Sequence, residues 1–380
     1  MAIGRVNRRR FLSCSAAAGL ALSQGELAEV AGATNDPVRL GVIGAGGRGT
    51  ALTRALLEIA GVQVVAVCDP SSRHRDRGQG VVEKVAGARP EALADHRRLL
   101  DRADVDAVVI ALPCDLHAAV NLDALAAGKH VYAEKPLGLS LAECDHLIAA
   151  AGAAPGLAFH VGFQRRSNPR FREGVERIHQ GELGNLIEAR ASWTSGNGPL
   201  SGHEGWLSRR ARSGDWMVEQ AVHIWDVLLW LKGAPPVSAL GWGRRDLFKA
   251  IDPGRDVTDH YSVEFEWADG FRASFVQSWI APADQAFTGS TLRVMGEAGG
   301  LDFGSGSLTF RDRGRPRETL RPGIHPDTRL ALEAFIDAIR RGESKPPITL
   351  AQARLATKVG LMARHAVDLG RRVTFAECEA

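Results

Sequence analysis

A glycine-rich turn between an apolar run and a helical segment is the feature that most constrains the fold of this chain. Residues 38–43 form a short β-branched run that is typical of a buried strand, and residues 50–59 have the composition of a helix. Between them, Gly44, Gly46 and Gly49 have the spacing GxGxxG. The first glycine allows a tight turn, the second lets the backbone approach a pyrophosphate, and the third permits close packing of helix on strand. Because a helix N-terminus also favours phosphate charge, the sequence predicts a dinucleotide-binding turn.

An acidic residue follows the next apolar run at the distance that such a turn requires. Residues 62–68 predict a second strand, and Asp69 comes directly after it, 20 residues beyond Gly49. A carboxylate at this place accepts hydrogen bonds from the adenosine ribose hydroxyls and repels a 2′-phosphate. We therefore predict NAD as the cofactor. NADP is the alternative, because Arg48 or Arg73 could reach a 2′-phosphate.

Two further strand-like runs, at residues 107–112 and 130–133, flank a helical stretch at residues 116–127. This alternation predicts an α/β fold with a doubly wound parallel sheet. The carboxyl ends of parallel strands line one crevice, so we expect the polar residues after each run to face the cofactor. These residues are Pro113 and His117 after the first run, and Glu134 and Lys135 after the second.

The uneven placement of the eight tryptophans indicates that the two halves of the chain differ in function, since all of them lie at or beyond Trp193. The chain has 380 residues, more than the usual single domain of about 100–200 residues. We predict a nucleotide-binding domain at residues 37–158 and a substrate domain at residues 159–380, whose C-terminal helices could pack back on the first domain.

The second half carries alternating segments that predict strands of an antiparallel sheet, at residues 186–195, 236–245, 258–267, 271–280 and 290–296. A helix is predicted at residues 216–231, with Gly233 as its C-terminal stop. Within it, Glu219, His223 and Asp226 have the four- and three-residue spacing of one helix face. A lone histidine on such a face is more often a core residue with satisfied hydrogen bonds, and the spacing alone leaves that alternative open.

Together these motifs resemble the Gfo/Idh/MocA family of glucose-fructose oxidoreductase-like and inositol dehydrogenase-like proteins. The resemblance covers essentially everything after residue 37, and its most discriminating part is the triplet Glu134-Lys135-Pro136. Its other parts are the glycine turn, Asp69, the segment 113–117 and the Gly-Phe-Gln-Arg-Arg segment at residues 162–166. The resemblance implies a Rossmann domain, then an α/β domain whose open, mainly antiparallel sheet carries the substrate site. It also implies a homo-oligomer and NAD(P)-linked chemistry on sugars, cyclitols or related polyols.

The resemblance further implies a catalytic group made of Lys135, Glu219 and His223. His223 would accept the proton of a substrate hydroxyl while nicotinamide takes the hydride. Lys135 would hydrogen-bond the same oxygen, and Glu219 would position the substrate or the imidazole. Glu219 is one methylene longer than the aspartate more usual at this position. Asp226 is a rival carboxylate that could instead orient His223.

The predicted substrate contacts are Arg165, Arg166, Trp193, His203, Trp206 and Asp226. The two arginines could hold substrate hydroxyls or a carboxylate, although surface arginines commonly have no such role. The two tryptophans belong to a loop before the predicted helix, and aromatic faces beside polar side chains suit sugar rings. Such a loop could equally pack over the sheet.

The first 33 residues predict an export signal. Arg8 and Arg9 precede a short apolar run at residues 14–22, and this pattern resembles a twin-arginine signal with a cleavage site at residues 31–33. The run is too short to span a bilayer, so we expect no stable membrane anchor. We expect a periplasmic or secreted protein that uses the twin-arginine export machinery. Its NAD should be tightly bound, because free NAD is scarce outside the cytoplasm. The alternative is a cytosolic tail that happens to contain arginines.

Charge and cysteine spacing limit the partners. The net charge is +3, and residues 1–33 hold four arginines against two glutamates, so no basic stripe is left for nucleic acid. The later cysteines have neither CxxC spacing nor nearby histidines, so we predict no metal site.

Three functions are compatible with these features. The leading one is an exported oxidoreductase that transfers hydride between a bound nicotinamide and a sugar, glycoside or cyclitol hydroxyl. The second is a redox-neutral, NAD-dependent glycoside hydrolase of the same fold, in which bound NAD oxidises the sugar transiently and is then regenerated. The third is a non-catalytic, nucleotide-bound sugar sensor, which the presence of Lys135 and His223 disfavours.

Overall fold

The computed structural model of the protein describes residues 36–324, 327–343 and 346–379. The predicted export signal therefore lies outside the described residues. None of the helices in the described part of the chain combines the length and the apolar character needed to cross a membrane.

The first sheet consists of short parallel strands, namely β1 (Val38–Ile43), β2 (Val62–Cys68), β3 (Glu91–Leu93), β4 (Ala107–Ile110), β5 (His130–Ala133) and β6 (Phe159–Val161). Its order is β3-β2-β1-β4-β5-β6. The strand order therefore reverses between β1 and β4, and the crevice outside their carboxyl ends is the expected ligand site of such a sheet. All four residues of β4 are buried, as helices on both faces of a parallel sheet require. The predicted doubly wound α/β fold is confirmed.

The helices that connect these strands are α1 (Gly47–Leu57), α2 (Ser72–Ala86), α3 (His96–Leu100), α4 (His117–Ala126) and α5 (Leu141–Gly152). Helix α1 begins inside the glycine turn, three residues earlier than the sequence predicted. Strand β6 pairs with β5 but lies just after residue 158, so the first sheet extends past the predicted domain boundary.

The second sheet contains β7 (Leu186–Thr194), β8 (Ser238–Arg244), β9 (His260–Glu266), β10 (Arg272–Ser278), β11 (Gly289–Gly296), β12 (Gly299–Asp302), β13 (Ser307–Phe310), β14 (Glu318–Thr319) and β15 (Val373–Thr374). Its order is β14-β13-β12-β11-β7-β10-β9-β8-β15, and only the central pair β7 and β10 runs parallel. The mainly antiparallel sheet is confirmed. Alternate residues face the core, as Tyr261, Val263 and Phe265 of β9 do.

The remaining helices are α6 (Pro169–His179), α7 (Arg210–Ser213), α8 (Trp216–Glu219), α9 (Val222–Lys232), α10 (Thr328–Arg341) and α11 (Leu350–Leu369). Helix α9 packs on the second sheet through Trp225, whose ring centroid lies 4.9 Å from that of Phe265 and 5.0 Å from that of Phe275. These edge-to-face contacts add to the burial of the three rings.

The single helix predicted at residues 216–231 is wrong, because the chain breaks between α8 and α9. The Trp216 carbonyl accepts hydrogen bonds from both Gln220 and Ala221, so the turn widens there. The side chain of Gln220 accepts a 2.5 Å hydrogen bond from Gln277 of β10, which holds the break against the sheet. Glu219 ends α8 and His223 lies in the first turn of α9, so their proximity is not that of one continuous helix.

Helix α10, near the C-terminus, packs on the first sheet. Phe335 is fully buried, and its ring centroid lies 5.8 Å from that of Tyr132 in β5 and 5.4 Å from that of His160 in β6. Leu332 and Ile336 join the same core as Leu40 of β1. A segment that follows the second sheet in sequence therefore completes the first.

Candidate active site

The glycine turn is closely packed at Gly44 and Gly49 and leaves open space at Gly46. Gly44 has φ of +90°, and a Cβ on Gly49 would lie 1.7 Å from the Gly44 carbonyl oxygen, so neither position accepts a side chain. A Cβ on Gly46 would meet no atom within 4 Å. This open space at the start of α1 fits a pyrophosphate held by backbone N–H groups.

Asp69 is buried between the end of β2 and the glycine turn. Its Oδ2 accepts a 2.9 Å hydrogen bond from the Ala45 N–H, and its Oδ1 accepts one of 2.9 Å from the Ser71 N–H. The Nδ1 atom of His74 lies 3.3 Å from Oδ1. A carboxylate offers about four acceptor positions, so Asp69 retains the capacity to accept from a ribose hydroxyl.

Arg48 binds a carboxylate of the protein itself. Its Nε donates a 2.9 Å hydrogen bond to Glu134 Oε1, and its Nη1 donates one of 3.1 Å to Thr328 Oγ1 of α10. Burial opposes the charge of Arg48, but the Glu134 carboxylate, together with Tyr132 and Asp327, raises the pKa of Arg48. The guanidinium of Arg48 is thus engaged by Glu134, which disfavours its use for a 2′-phosphate.

His117 joins two loops at the carboxyl end of the first sheet. Its Nδ1 lies 2.7 Å from the Pro136 carbonyl oxygen and its Nε2 lies 2.9 Å from the Leu112 carbonyl oxygen. Burial lowers the pKa of His117. Both ring nitrogens are thus engaged by the backbone, and the predicted direct contact with a cofactor is corrected to support of the loops around Pro113 and Glu134.

Lys135 connects the first sheet to the second half of the chain. Its Nζ donates a 2.5 Å hydrogen bond to the Glu219 carbonyl oxygen and one of 2.6 Å to Glu219 Oε1. Burial opposes the ammonium charge, but the Glu219 carboxylate, together with Cys114 and Glu134, raises the pKa of Lys135. Lys135 is therefore charged at neutral pH. Glu219, predicted to position the substrate or the imidazole, instead positions this ammonium group.

His223 lies in the first turn of α9 and is 7% exposed. Its ring centroid is 6.0 Å from that of Phe163 and 6.4 Å from that of Trp193. Among the described residues, its Nδ1 has no hydrogen-bond partner. Burial, aided by the charges of Lys135 and Arg165, lowers the pKa of His223 well below its ordinary value. The imidazole is therefore neutral at neutral pH, as a general base must be before it accepts a proton.

Arg166 and Asp226 form a buried ion pair. The Arg166 Nη2 donates a 2.7 Å hydrogen bond to Asp226 Oδ1, and its Nε lies 3.1 Å from both carboxylate oxygens. The Arg166 guanidinium also lies over the Trp230 ring, 4.7 Å from its centroid. Arg166 and Asp226 thus engage each other, and the predicted contact of either side chain with a substrate stays a prediction. Asp226 is also not a partner of His223.

Arg165 lies in a different environment from its neighbour. Its guanidinium carbon is 5.5 Å from the ring centroid of Trp193 and 5.4 Å from that of Phe171. Within the described part of the chain, its guanidinium forms neither an ion pair nor a hydrogen bond, and burial lowers the pKa of Arg165 to about 10. Arg165 lines a pocket of about 280 Å³ together with Thr291 and Asp327. Arg165 and Trp193 thus stay candidates for substrate contact beside His223.

His203 and Trp206 lie in a short 3-10 segment, His203–Ser208, that follows β7. The ring centroid of His203 is 4.6 Å from that of His74, whose Nδ1 lies 3.3 Å from Asp69 Oδ1. The indole of Trp206 packs against Gly202 of the same loop. The structure therefore brings His203 to the nucleotide end of the crevice rather than to His223, which corrects its predicted role in binding substrate.

A series of side-chain hydrogen bonds beside α8 was not predicted from the sequence. The Tyr261 hydroxyl donates a 2.7 Å hydrogen bond to Gln277 Oε1, and Gln277 Nε2 donates one to Gln220 beside Glu219. Gln277 is 1% exposed and occupies an inward position of β10, next to Phe275 and Ala273. A polar residue at an inward position of an alternating strand is the signal that could have identified this chain of hydrogen bonds.

Comparison with known proteins identifies both halves of the chain. The model described as "Oxidoreductase family, NAD-binding Rossmann fold" matches residues 38–163, and that of the GFO/IDH/MocA C-terminal domain matches residues 171–302. The two matches together span more than half of the chain.

Individual relatives agree with these matches. Inositol 2-dehydrogenase 2 of Paenarthrobacter aurescens is 29% identical over 356 residues, which cover 89% of this chain and 99% of the relative. A glycosyl hydrolase family 109 protein of Solibacter usitatus is 38% identical, but over only 36% of this chain and 33% of the relative. The fold is similar to that of scyllo-inositol dehydrogenase from Lactobacillus casei with bound NAD(H) and scyllo-inositol, with a TM-score of 0.73 at 20% identity, covering 90% and 100% of the two chains.

Gly46→Ala tests the assigned pyrophosphate site. We expect Gly46→Ala to change the free energy of unfolding by less than about 0.5 kcal/mol but to weaken NADH binding at least about tenfold, because the methyl group occupies the space that fits a pyrophosphate. NADH fluorescence titration and urea unfolding measure the two quantities. Gly80→Ala is the control, since a Cβ there also meets open space, at an exposed position of α2. Equal NADH affinity in both variants would contradict the assigned pyrophosphate site.

Proposed function

The chain belongs to the Gfo/Idh/MocA family of NAD-binding oxidoreductases, and we propose that it transfers hydride between a bound nicotinamide and a hydroxyl-bearing carbon of a cyclitol or sugar. The observation that carries this proposal is the neutral, buried imidazole of His223 in the field of the Lys135 ammonium group. The preference for a cyclitol is supported by the inositol 2-dehydrogenase that aligns over 99% of its own length.

The residues of the crevice fit a dinucleotide. The glycine turn would hold the pyrophosphate, and Asp69 would accept from the adenosine ribose. Arg48 is paired with Glu134 and so does not favour a 2′-phosphate, which agrees with NAD. When bound, the nicotinamide supplies the hydride acceptor or donor, while the protein supplies alignment and proton transfer.

His223 provides the base in this proposal. A substrate alcohol must lose its hydroxyl proton as its carbon is oxidised to a carbonyl. A neutral imidazole can accept that proton, and burial keeps His223 neutral by lowering its pKa. Because the pKa is lowered, protonation of His223 blocks the reaction only at a pH well below the ordinary histidine value of about 6.5.

Lys135 stabilises the oxygen that loses this proton. An ammonium group has three N–H donors, and two of those of Lys135 are used by the carbonyl and the carboxylate of Glu219. The third is free to donate to a substrate oxygen and to stabilise its developing negative charge. Glu219 acts through Lys135 as a positioning residue, because its two acceptors fix the direction of the Nζ atom.

His223→Asn tests this assignment. We expect NADH binding to be retained and turnover to fall by about 10²- to 10⁴-fold, the usual contribution of a general base. The measurement is NADH formation with a panel of inositols, sugars and aryl glycosides, alongside NADH titration. His146→Asn is the control, because His146 is exposed on α5. Undiminished turnover in His223→Asn would show that another group is the base.

A redox-neutral glycosidase is the second candidate, and the partial match to a glycosyl hydrolase family 109 protein favours it. The same panel separates the two. Accumulation of NADH with an inositol or a free sugar supports the dehydrogenase. Release of the aryl group without net NADH formation would overturn it in favour of the glycosidase. Membership of an oxidoreductase family argues against the third possibility, a non-catalytic sensor.

The two adjacent arginines should respond differently to substitution. We expect Arg165→Gln to raise the KM by about tenfold and to change the free energy of unfolding by less than about 1.5 kcal/mol, because Arg165 has only stacking contacts. Arg166→Gln should cost about 3–5 kcal/mol of stability, because it leaves the Asp226 carboxylate buried without its partner. Urea unfolding and steady-state kinetics measure both effects. The reverse pattern would contradict the assignment of Arg165 to the substrate.

Export through the twin-arginine pathway is a separate proposal that is supported by sequence alone. Arg8 and Arg9, followed by the apolar run at residues 14–22, support it. Replacing both arginines with lysine should keep the protein in the cytoplasm, and cell fractionation measures this. Unchanged export of the Lys-Lys variant would rule out this route.

A further inference from the structure

We propose that residues 202–212 form a strap that crosses the dinucleotide crevice, and that His203 closes the adenosine ribose end of the site together with His74. This inference rests on the proposed NAD site and extends it, because it assigns part of cofactor binding to the second half of the chain. It would make cofactor release depend on a segment far in sequence from the glycine turn.

The first contact of the strap lies at the ribose end. The ring of His203 meets the ring of His74 edge to face, with centroids 4.6 Å apart. His74 in turn points its Nδ1 at Asp69 Oδ1, 3.3 Å away. The His74 side chain is 13% exposed, whereas that of His203 is 56% exposed. The His203 ring is therefore exposed and lies near the Asp69 carboxylate, which fits the ribose hydroxyls.

The second contact lies across the crevice. Arg212, in α7, donates from Nε to Asp115 Oδ2 at 3.2 Å. Asp115 follows β4, whereas Asp69 follows β2, and β1 lies between these two strands. The glycine turn follows β1. A segment that touches both the first turn of α2, which follows β2, and the loop after β4 must therefore cross the end of the sheet where the glycine turn lies.

The strap is also fixed to the second half of the chain. The Ser208 carbonyl accepts a hydrogen bond from the Asp256 N–H, and Arg209 Nη1 lies 3.1 Å from Asp252 Oδ1. Just before the strap, the Leu200 carbonyl accepts a 3.1 Å hydrogen bond from the buried guanidinium of Arg255. The strap is thus held at the crevice by its own domain, and a bound dinucleotide would be covered by it.

The two histidines suit a ribose. The Nδ1 of His74 is directed at Asp69, and the Nε2 of His203 lies 3.8 Å from Glu204 Oε1. Among the described residues, the Nε2 of His74 and the Nδ1 of His203 remain to donate to or accept from hydroxyl groups, which do both. Their ring faces also offer stacking surface to an aromatic base. A nucleoside is therefore the class of ligand that these side chains fit.

The test measures NADH release from the full-length protein, with no substrate present. We expect His203→Ala and Arg212→Met each to accelerate release by about three- to tenfold, the effect of losing one aromatic or polar contact. Stopped-flow fluorescence after mixing with excess NAD⁺ gives the rate. His146→Ala, an exposed histidine on α5, is the matched control and should release NADH at the wild-type rate.

Hydrogen exchange of the wild-type protein provides a second measurement that needs no variant. NADH should slow exchange of the amides in residues 202–212. Wild-type release rates in both strap variants, or no protection of this segment by NADH, would overturn the strap while leaving the proposed function intact. Failure of the wild-type protein to bind NADH would instead overturn the proposed function, and the strap with it.

Discussion

The two hydrogen bonds from Lys135 to Glu219 are the interaction on which the candidate site depends. Lys135 follows a strand of the first sheet, whereas Glu219 ends the short helix that precedes the helix of His223, so this contact joins the cofactor crevice to the segment that carries the base. It is partly buried, with side chains 12% and 15% exposed, and is therefore little screened by solvent. Loss of either partner would leave the other charge unpaired in a poorly solvated place, and the remaining side chain would no longer be held in one orientation.

The charges around His223 explain why a histidine, rather than a carboxylate, suits this position. Lys135 and Arg165 are both cationic near the ring. They would hold a carboxylate in its ionised form and bind it, whereas a neutral imidazole keeps its lone pair available. The same field favours the alkoxide character that a substrate oxygen acquires as its proton leaves. The base and the stabilising cations thus cooperate through electrostatics, and His223 donates no hydrogen bond to Asp226 among the described residues.

The local part of this arrangement could be predicted from the sequence, and the long-range part could not. Glycine is required at position 49 because the carbonyl oxygen of Gly44, only five residues earlier, approaches it closely. A short motif therefore predicts both the turn and the helix after it. The break before His223 depends instead on Gln277, 57 residues from Gln220 in the chain. The pairing of Arg166 with a carboxylate 60 residues away is equally invisible to spacing. Local sequence patterns predict candidate residues, but the side chains that bind these residues are set by tertiary contacts.

The return of α10 to the first sheet has a consequence for synthesis of the protein. Phe335 and its neighbours cover apolar surface on strands of the first sheet, which ends at Val161 and therefore leaves the ribosome long before α10. Until α10 has been translated, the nascent nucleotide-binding domain exposes that surface, and domains that fold as units from the N-terminus are vulnerable to aggregation while incomplete. The cofactor fold is therefore completed late in translation, and a truncated chain that ends before α10 would leave the ribosome with an open core.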